Sequence, residues 1–385
     1  MAIVLFTGFL MSIFLGLLII GKKNKLPSDK FLFCIFIVYA ITIGGTYIDE
    51  YNSVNNYPLH YLLNVSWLFM FLHGPLLWFY TKFLTEENMK LKYIHLLHFA
   101  PFVIYSVFHY FNFISLPPSE KITLFNSHAT RLAPKIGTFL ISLSIVVYYI
   151  VVLYLIKNHR KNIQNKFSYI ENIDLKWLKT FTISSLVIFS LSVLLFNLNN
   201  YFHFTEDHKL SLIAFSFSTV FIFYIGYFGI KQGRIFTGTP IIDSEQPIQN
   251  SRKDKTNSIK NKDYNDIIQR LTLLMEQQQP YLDAEINLAR LSSLMKTKPE
   301  LISEVLNSSL NQNFFDFINK YRIEEFKLKC LSEENRNLSV IGIAYDCGFN
   351  SKAAFYRAFK KFEGISPTAY ISMVSKKNET PFPRK

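Results

Sequence analysis

Seven separate apolar stretches fill the first 230 residues of this 385-residue chain, each close to the ~20 residues that cross a hydrocarbon core of about 30 Å. They cover residues 2–21 and run near 31–48, 61–81, 94–114, 136–156, 178–198 and 210–230. Backbone amides in hydrocarbon must find their partners within the segment, so stretches of this length predict helices. The expectation for residues 1–230 is an N-terminal seven-helix transmembrane bundle. The first stretch has no basic residue before it and no small-residue cleavage site after it, so it reads as a retained helix and not a signal peptide.

Loop charge sets the orientation, because Lys and Arg stay on the cytoplasmic side. The loops after stretches one, three and five hold Lys22, Lys23, Lys25, Lys30, Lys82, Lys90, Lys92, Lys157, Arg160, Lys161, Lys166, Lys176 and Lys179. The loops after two, four and six hold only Lys121, Arg131, Lys135 and Lys209. This asymmetry places the N-terminus outside and residues 231–385 in the cytoplasm of a bacterial cell, with the chain in the inner membrane. The formal charge of +13 divides accordingly: 17 basic against 10 acidic residues before position 231, and 24 against 18 from there on. The first excess lies in loops as topology requires. The second lies in a soluble tail, as nucleic-acid binding requires.

All nine histidines precede residue 209. In the fourth stretch His95, His98, Tyr105 and His109 fall on one stripe at about 100° per residue, which makes them a candidate polar lining for a sensory cavity. A single metal site using all three histidines is excluded, since His95 and His109 are about 21 Å apart along a helix axis. Ordinary interfacial polarity is the blander account of His95 and His98. Gly74 and Pro75 in the third stretch predict a kink. Cys34, Cys330 and Cys347 have no ligand or disulfide spacing and read as buried small hydrophobes in a reducing compartment. No HExxH or convergent ligand set supports a His-metal membrane hydrolase, and no repeat between halves supports a transporter. The expectation is a chain that is not an enzyme, with no cofactor and no metal.

Residues 231–262 lose apolar periodicity and become polar and charged, which predicts a flexible cytoplasmic linker. Beyond it, Ile267, Leu271, Leu274 and Met275 make a helical stripe. Leu288, Leu291, Leu294 and Met295 with Ile302, Val305 and Leu306 outline a first helix-turn-helix, and Phe317, Ile318, Tyr321, Phe326 and Leu328 an amphipathic spacer helix. The most informative segment is residues 338–367. Ile341, Ile343 and Ala344 keep helical spacing up to Gly348, which takes the positive φ of a helix end; Phe349 follows the turn. Ser351 then offers an N-cap to a second helix. There Phe355 and Phe359 form one apolar face, and Lys352, Tyr356, Arg357, Lys360 and Lys361 lie largely outside it. A basic helix presented across a Gly turn suits a DNA major groove.

Residues 263–375 resemble the DNA-binding domain of the AraC/XylS family of transcription regulators, most specifically in IAYDCGFNSKAAFYRAFKKFEGISPTAY at residues 343–370. The resemblance implies an all-α domain of two helix-turn-helix units joined by a long helix, with Pro367 ending the motif. It also implies a DNA-binding domain over residues 263–385 and double-stranded DNA as partner, beside the lipid bilayer. A homodimer and an extracytoplasmic or membrane-borne ligand complete the expected partners. Ser292, Lys296, Phe326, Asn311 and Ile371 depart from the usual family residues. Lys298 and Ser303 belong to the first candidate reading helix, but Glu300 and Glu304 share it and repel phosphates. Most DNA contact is therefore expected from Ser351, Lys352, Tyr356, Arg357, Lys360 and Lys361. The alternative is a receptor or transporter whose tail contacts protein.

Overall fold

The structure, a computed structural model, describes residues 1–86, 89–126, 132–171, 173–202, 207–232, 260–332, 335 and 337–377. It is all-α; among these residues the only β-type pairing is an isolated antiparallel bridge between Phe167 and Asn287. The chain divides into two compact units, Met1–Asn158 with Leu175–Ser244, and His159–Asp174 with Glu245–Lys385. The second unit therefore takes in a short stretch from the middle of the sequence. The expected linker falls mainly on residues 233–259, which lie outside the described residues.

In the first unit α1 (Ala2–Gly21), α2 (Pro27–Val54), α3 (Met70–Thr85), α4 (Ala100–His109), α5 (Pro118–Asn126), α6 (Leu132–Gln164, whose end from His159 belongs to the second unit), α7 (Lys176–Phe202) and α8 (Asp207–Gln232) follow in order. Seven helical segments among the described residues are long and apolar enough to cross a membrane. Helix α1 packs on α2 and α8, α2 on α3, and α7 on α8. Small residues allow that closeness: a Cβ on Gly8 would lie 2.3 Å from Thr219 Oγ1, so only glycine fits where α1 crosses α8. The core is rich in aromatics, including Phe36, Phe71, Phe79 and Phe181. Lys22 is buried and bonded to Asp29 at 2.8 Å, joining the ends of α1 and α2 instead of standing free in its loop.

Two stretches depart from simple spans. The third begins with 3-10 turns at His60–Leu62 and Ser66–Phe69 before α3. The fourth is 3-10 over Tyr93–Phe99, α over Ala100–His109 and π over Tyr110–Ile114. Its pitch changes twice, yet His95 and His98, half-buried, and Tyr105 and His109, buried, stay on its inward side.

The second unit is built from α9 (Lys260–Gln277), α10 (Leu288–Met295), α11 (Pro299–Ser308), α12 (Phe314–Lys329), α13 (Val340–Asp346), α14 (Lys352–Glu363) and α15 (Pro367–Lys377). Side-chain caps start four of them: Asn287, Asn313, Ser339 and Ser351 each accept a backbone N–H from the first turn. Two cores form. Ile267, Leu271, Met275, Leu291, Ile302, Val305 and Phe314 close the first helix-turn-helix. Ile323, Phe326, Ile343, Ala344, Phe349, Phe355 and Phe359 close the second. Phe326 fills its place by packing on Phe355 and Phe359, with ring centroids 4.6 and 5.6 Å away.

Leu294 and Leu328 are exposed, at 47% and 68%, contrary to the expected core. Leu291 and Met295 take the inward face of α10 and leave Leu294 at its edge. Leu328 lies two residues, about 200° of rotation, from the buried Phe326.

Candidate nucleic-acid interface

The site is a helix held at both ends and supported from behind. Ser351 Oγ accepts the Ala354 N–H at 3.1 Å and starts α14; Gly364, with φ +74°, ends it. Phe355, Ala358 and Phe359 face the core, so Lys352, Arg357, Lys360 and Lys361 are turned outward and exposed, with Tyr356 half-buried. Lys352 Nζ lies over the Tyr356 ring, 5.6 Å from its centroid. Lys361 pairs with Asp316 of α12 at 2.6 Å, and Lys327 of α12 pairs with Glu363 at 3.1 Å. These pairs hold α14 against the spacer helix. Pro367, buried, opens α15 beside them.

The turn that presents α14 is fixed by Gly348. Its φ of +88° favours glycine, and a Cβ there would meet the Tyr281 carbonyl at 2.5 Å. The same carbonyl accepts Arg322 Nε at 2.7 Å, while Arg322 Nη2 donates to the Asp283 carbonyl at 2.8 Å. Arg322 is 1% exposed and stands 5.7 Å from the Phe349 ring. Burial pulls its guanidinium down to about 10 from the ordinary 12.5. Arg322 thus ties the segment before α10 to the second helix-turn-helix. Its importance was not visible in the sequence, where it is one basic residue of an amphipathic helix.

In the first unit of the motif, α11 carries exposed Lys298, Glu300 and Glu304, with Ser303 half-buried and Asn307 Nδ2 3.4 Å from its hydroxyl. Lys296 ends α10 in the left-handed region at φ 49°, and Asn311 adopts φ 50°. Helix α14 therefore presents four exposed cations where α11 mixes signs.

A further residue reaches α14 that local patterns did not indicate. Glu171 accepts a hydrogen bond from Ser351 Oγ at 2.6 Å and pairs with Arg357. Glu171 belongs to the stretch His159–Asp174 that the second unit includes.

The four residues of the expected sensory stripe form two pairs on the inward side of the fourth segment. His95 and His98 lie in the 3-10 segment with ring centroids 6.4 Å apart, and His98 Nδ1 is 2.6 Å from Tyr148 Oη. Tyr105 and His109 stack at 6.0 Å. None of them lines the cavity of about 90 Å³ in the first unit, whose walls include Tyr39, His73, Thr138, Ser142, Ser185 and Phe215. Ser185 Oγ is buried there without a hydrogen-bond partner. Among the described residues no three His, Cys, Asp or Glu side chains gather as a metal site.

Comparison with known proteins adds one match. No curated protein and no solved structure matches the chain. Residues 291–373 match the family described as Helix-turn-helix domain, spanning α10 to α15. This match supports an AraC-type DNA-binding domain at the C-terminus and a DNA-binding transcription regulator.

Proposed function

We propose that the chain is a membrane-anchored transcription regulator, in which residues 1–230 span the membrane and sense a signal, residues 231–262 connect, and residues 263–385 bind specific DNA in the cytoplasm. The carrying observation is the outward face of α14, where Lys352, Arg357 and Lys360 are exposed on a helix capped by Ser351 and backed by Phe355 and Phe359. In this reading Arg357 and Lys352 contact base edges or phosphate, and Tyr356, Lys360 and Lys361 hold the backbone. Ser351 and the helix N-terminus take a phosphate. Lys298 and Ser303 make a weaker contribution beside Glu300 and Glu304.

Seven apolar segments and the thirteen-to-four loop-charge asymmetry support the membrane part, with N-terminus outside and C-terminus inside. The cavity lined by Tyr39, His73 and Ser185 is the better seat for a signal than the His95, His98, Tyr105 and His109 set, because several helices line it and it contains an unsatisfied hydroxyl. Its lining fits a small apolar molecule with one hydrogen-bonding group.

A fragment beginning at Lys260 tests the DNA reading. Log affinity for duplex DNA is expected to fall linearly with log salt, since each neutralised phosphate releases counterions. Binding that is absent, or indifferent to salt, would transfer the assignment to a protein-contacting tail.

A further inference from the structure

We propose that residues 163–171 form a built-in competitor of DNA, docking across both helix-turn-helix units and seating Glu171 on the residues α14 offers to phosphate. The proposal rests on the DNA-binding reading of α14.

The docking is directional along its length. The Leu288 N–H donates to the Lys166 carbonyl at 2.9 Å, and Phe167 pairs with Asn287, the residue that caps α10. Ser168 Oγ donates to the Ile286 carbonyl at 2.7 Å, and Arg322 Nη2 lies 3.4 Å from the same hydroxyl. Asn319 Nδ2 donates to the Ser168 carbonyl at 3.4 Å. Ile163 and Ile170 are buried with Ile173 in an apolar cluster that includes Phe167 and Phe315. The segment is therefore fixed to the entrance of the first motif and to the spacer helix before it reaches α14.

At α14 the contact is to the candidate reading residues. One carboxylate oxygen of Glu171 accepts from Ser351 Oγ at 2.6 Å and from Tyr169 Oη at 3.3 Å; the other pairs with Arg357. An acidic group held by a helix N-cap hydroxyl and an arginine presents the charge and acceptor pattern of a backbone phosphate. A phosphate bound by the same two side chains must displace it. Glu171 is 19% exposed and Arg357 54%, so the pair is partly open to water and exchangeable. Inhibition is accordingly graded.

The chemistry also provides a route for the signal. The segment is continuous in sequence with α6 and α7, so a ligand that changes those helices alters the effective concentration of the competitor without acting through residues 233–259. Linkage is reciprocal: DNA that frees the segment alters the signal's affinity by the same factor.

The test uses the full chain in lipid nanodiscs and a labelled pool of random-sequence duplexes. Glu171→Ala should tighten binding about two- to fivefold over wild type, the range expected from removing a partly exposed competing pair. Ile170→Asp should also tighten it, although it adds a negative charge that on bulk electrostatics would weaken it. A photoreactive phenylalanine at Tyr169 should cross-link to α14 in free protein and lose most of that product with saturating DNA. Equal affinity of wild type and both variants, or a cross-link indifferent to DNA, overturns the proposal while leaving the DNA reading intact. Binding by none of the proteins at any salt sinks the DNA reading and this proposal with it.

Discussion

Gly348 shows how one backbone position can determine a presented surface. Its φ of +88° and the 2.5 Å approach to the Tyr281 carbonyl act together, so Gly348→Ala meets both left-handed strain and a clash with fixed backbone. A loss of at least ~2 kcal/mol is expected in denaturant titration of the tail; a loss below half of that would show that the turn adjusts. The cysteines give a pH dependence. Burial pushes Cys330 up to about 11 and Cys347 up to about 12 from 9.0. Raised folded-state values mean stability that is fully present below pH ~9 and is lost as pH rises towards 11, at up to ~1.4 kcal/mol per pH unit for each thiol. Thiol labelling of a Cys34→Ser protein should be slow at pH 8, accelerate about tenfold per pH unit, and become fast on unfolding. Rapid native labelling at pH 8 would contradict the burial of both thiols.

At the scale of elements, α14 was legible because everything that makes it a presented helix is local. Ser351 caps within three residues, Phe355 and Phe359 are four apart, and Gly348 precedes them by a short turn. The fourth span was less so: nothing in the His95 to His109 spacing announces a change from 3-10 to α to π pitch, which tertiary packing decides. Leu294 and Leu328 were misplaced by the same simplification, a hydrophobic residue being assigned inward without its angle. Glu171 and Arg357 are 186 residues apart, and no periodicity connects them. Arg322 likewise satisfies carbonyls of Tyr281 and Asp283, partners that only the fold identifies. The surface of α14 makes separable predictions. Arg357→Ala should cost ~1–3 kcal/mol of specific affinity and relax preference at one base position, whereas Lys360→Ala should weaken all sequences alike. Binding selections on randomised duplexes distinguish them, and identical profiles for both variants would remove Arg357 from base reading.

For the whole molecule, an apolar seven-helix region is joined to a basic helical tail through residues outside the described set. In the proposed topology, charge asymmetry and an odd number of spans would both place that tail in the cytoplasm. A reporter fused after Gly233 should be active only when cytoplasmic, and one inserted at residues 52–56 only outside; the two on one side would break the seven-span topology. In the proposed function this chain reads DNA while embedded in the membrane. A genomic footprint of the intact protein, recovered from the membrane fraction, tests it most directly. Discrete protected sites that weaken in Arg357→Ala are the predicted result, and a membrane-bound protein without protected sites would contradict it.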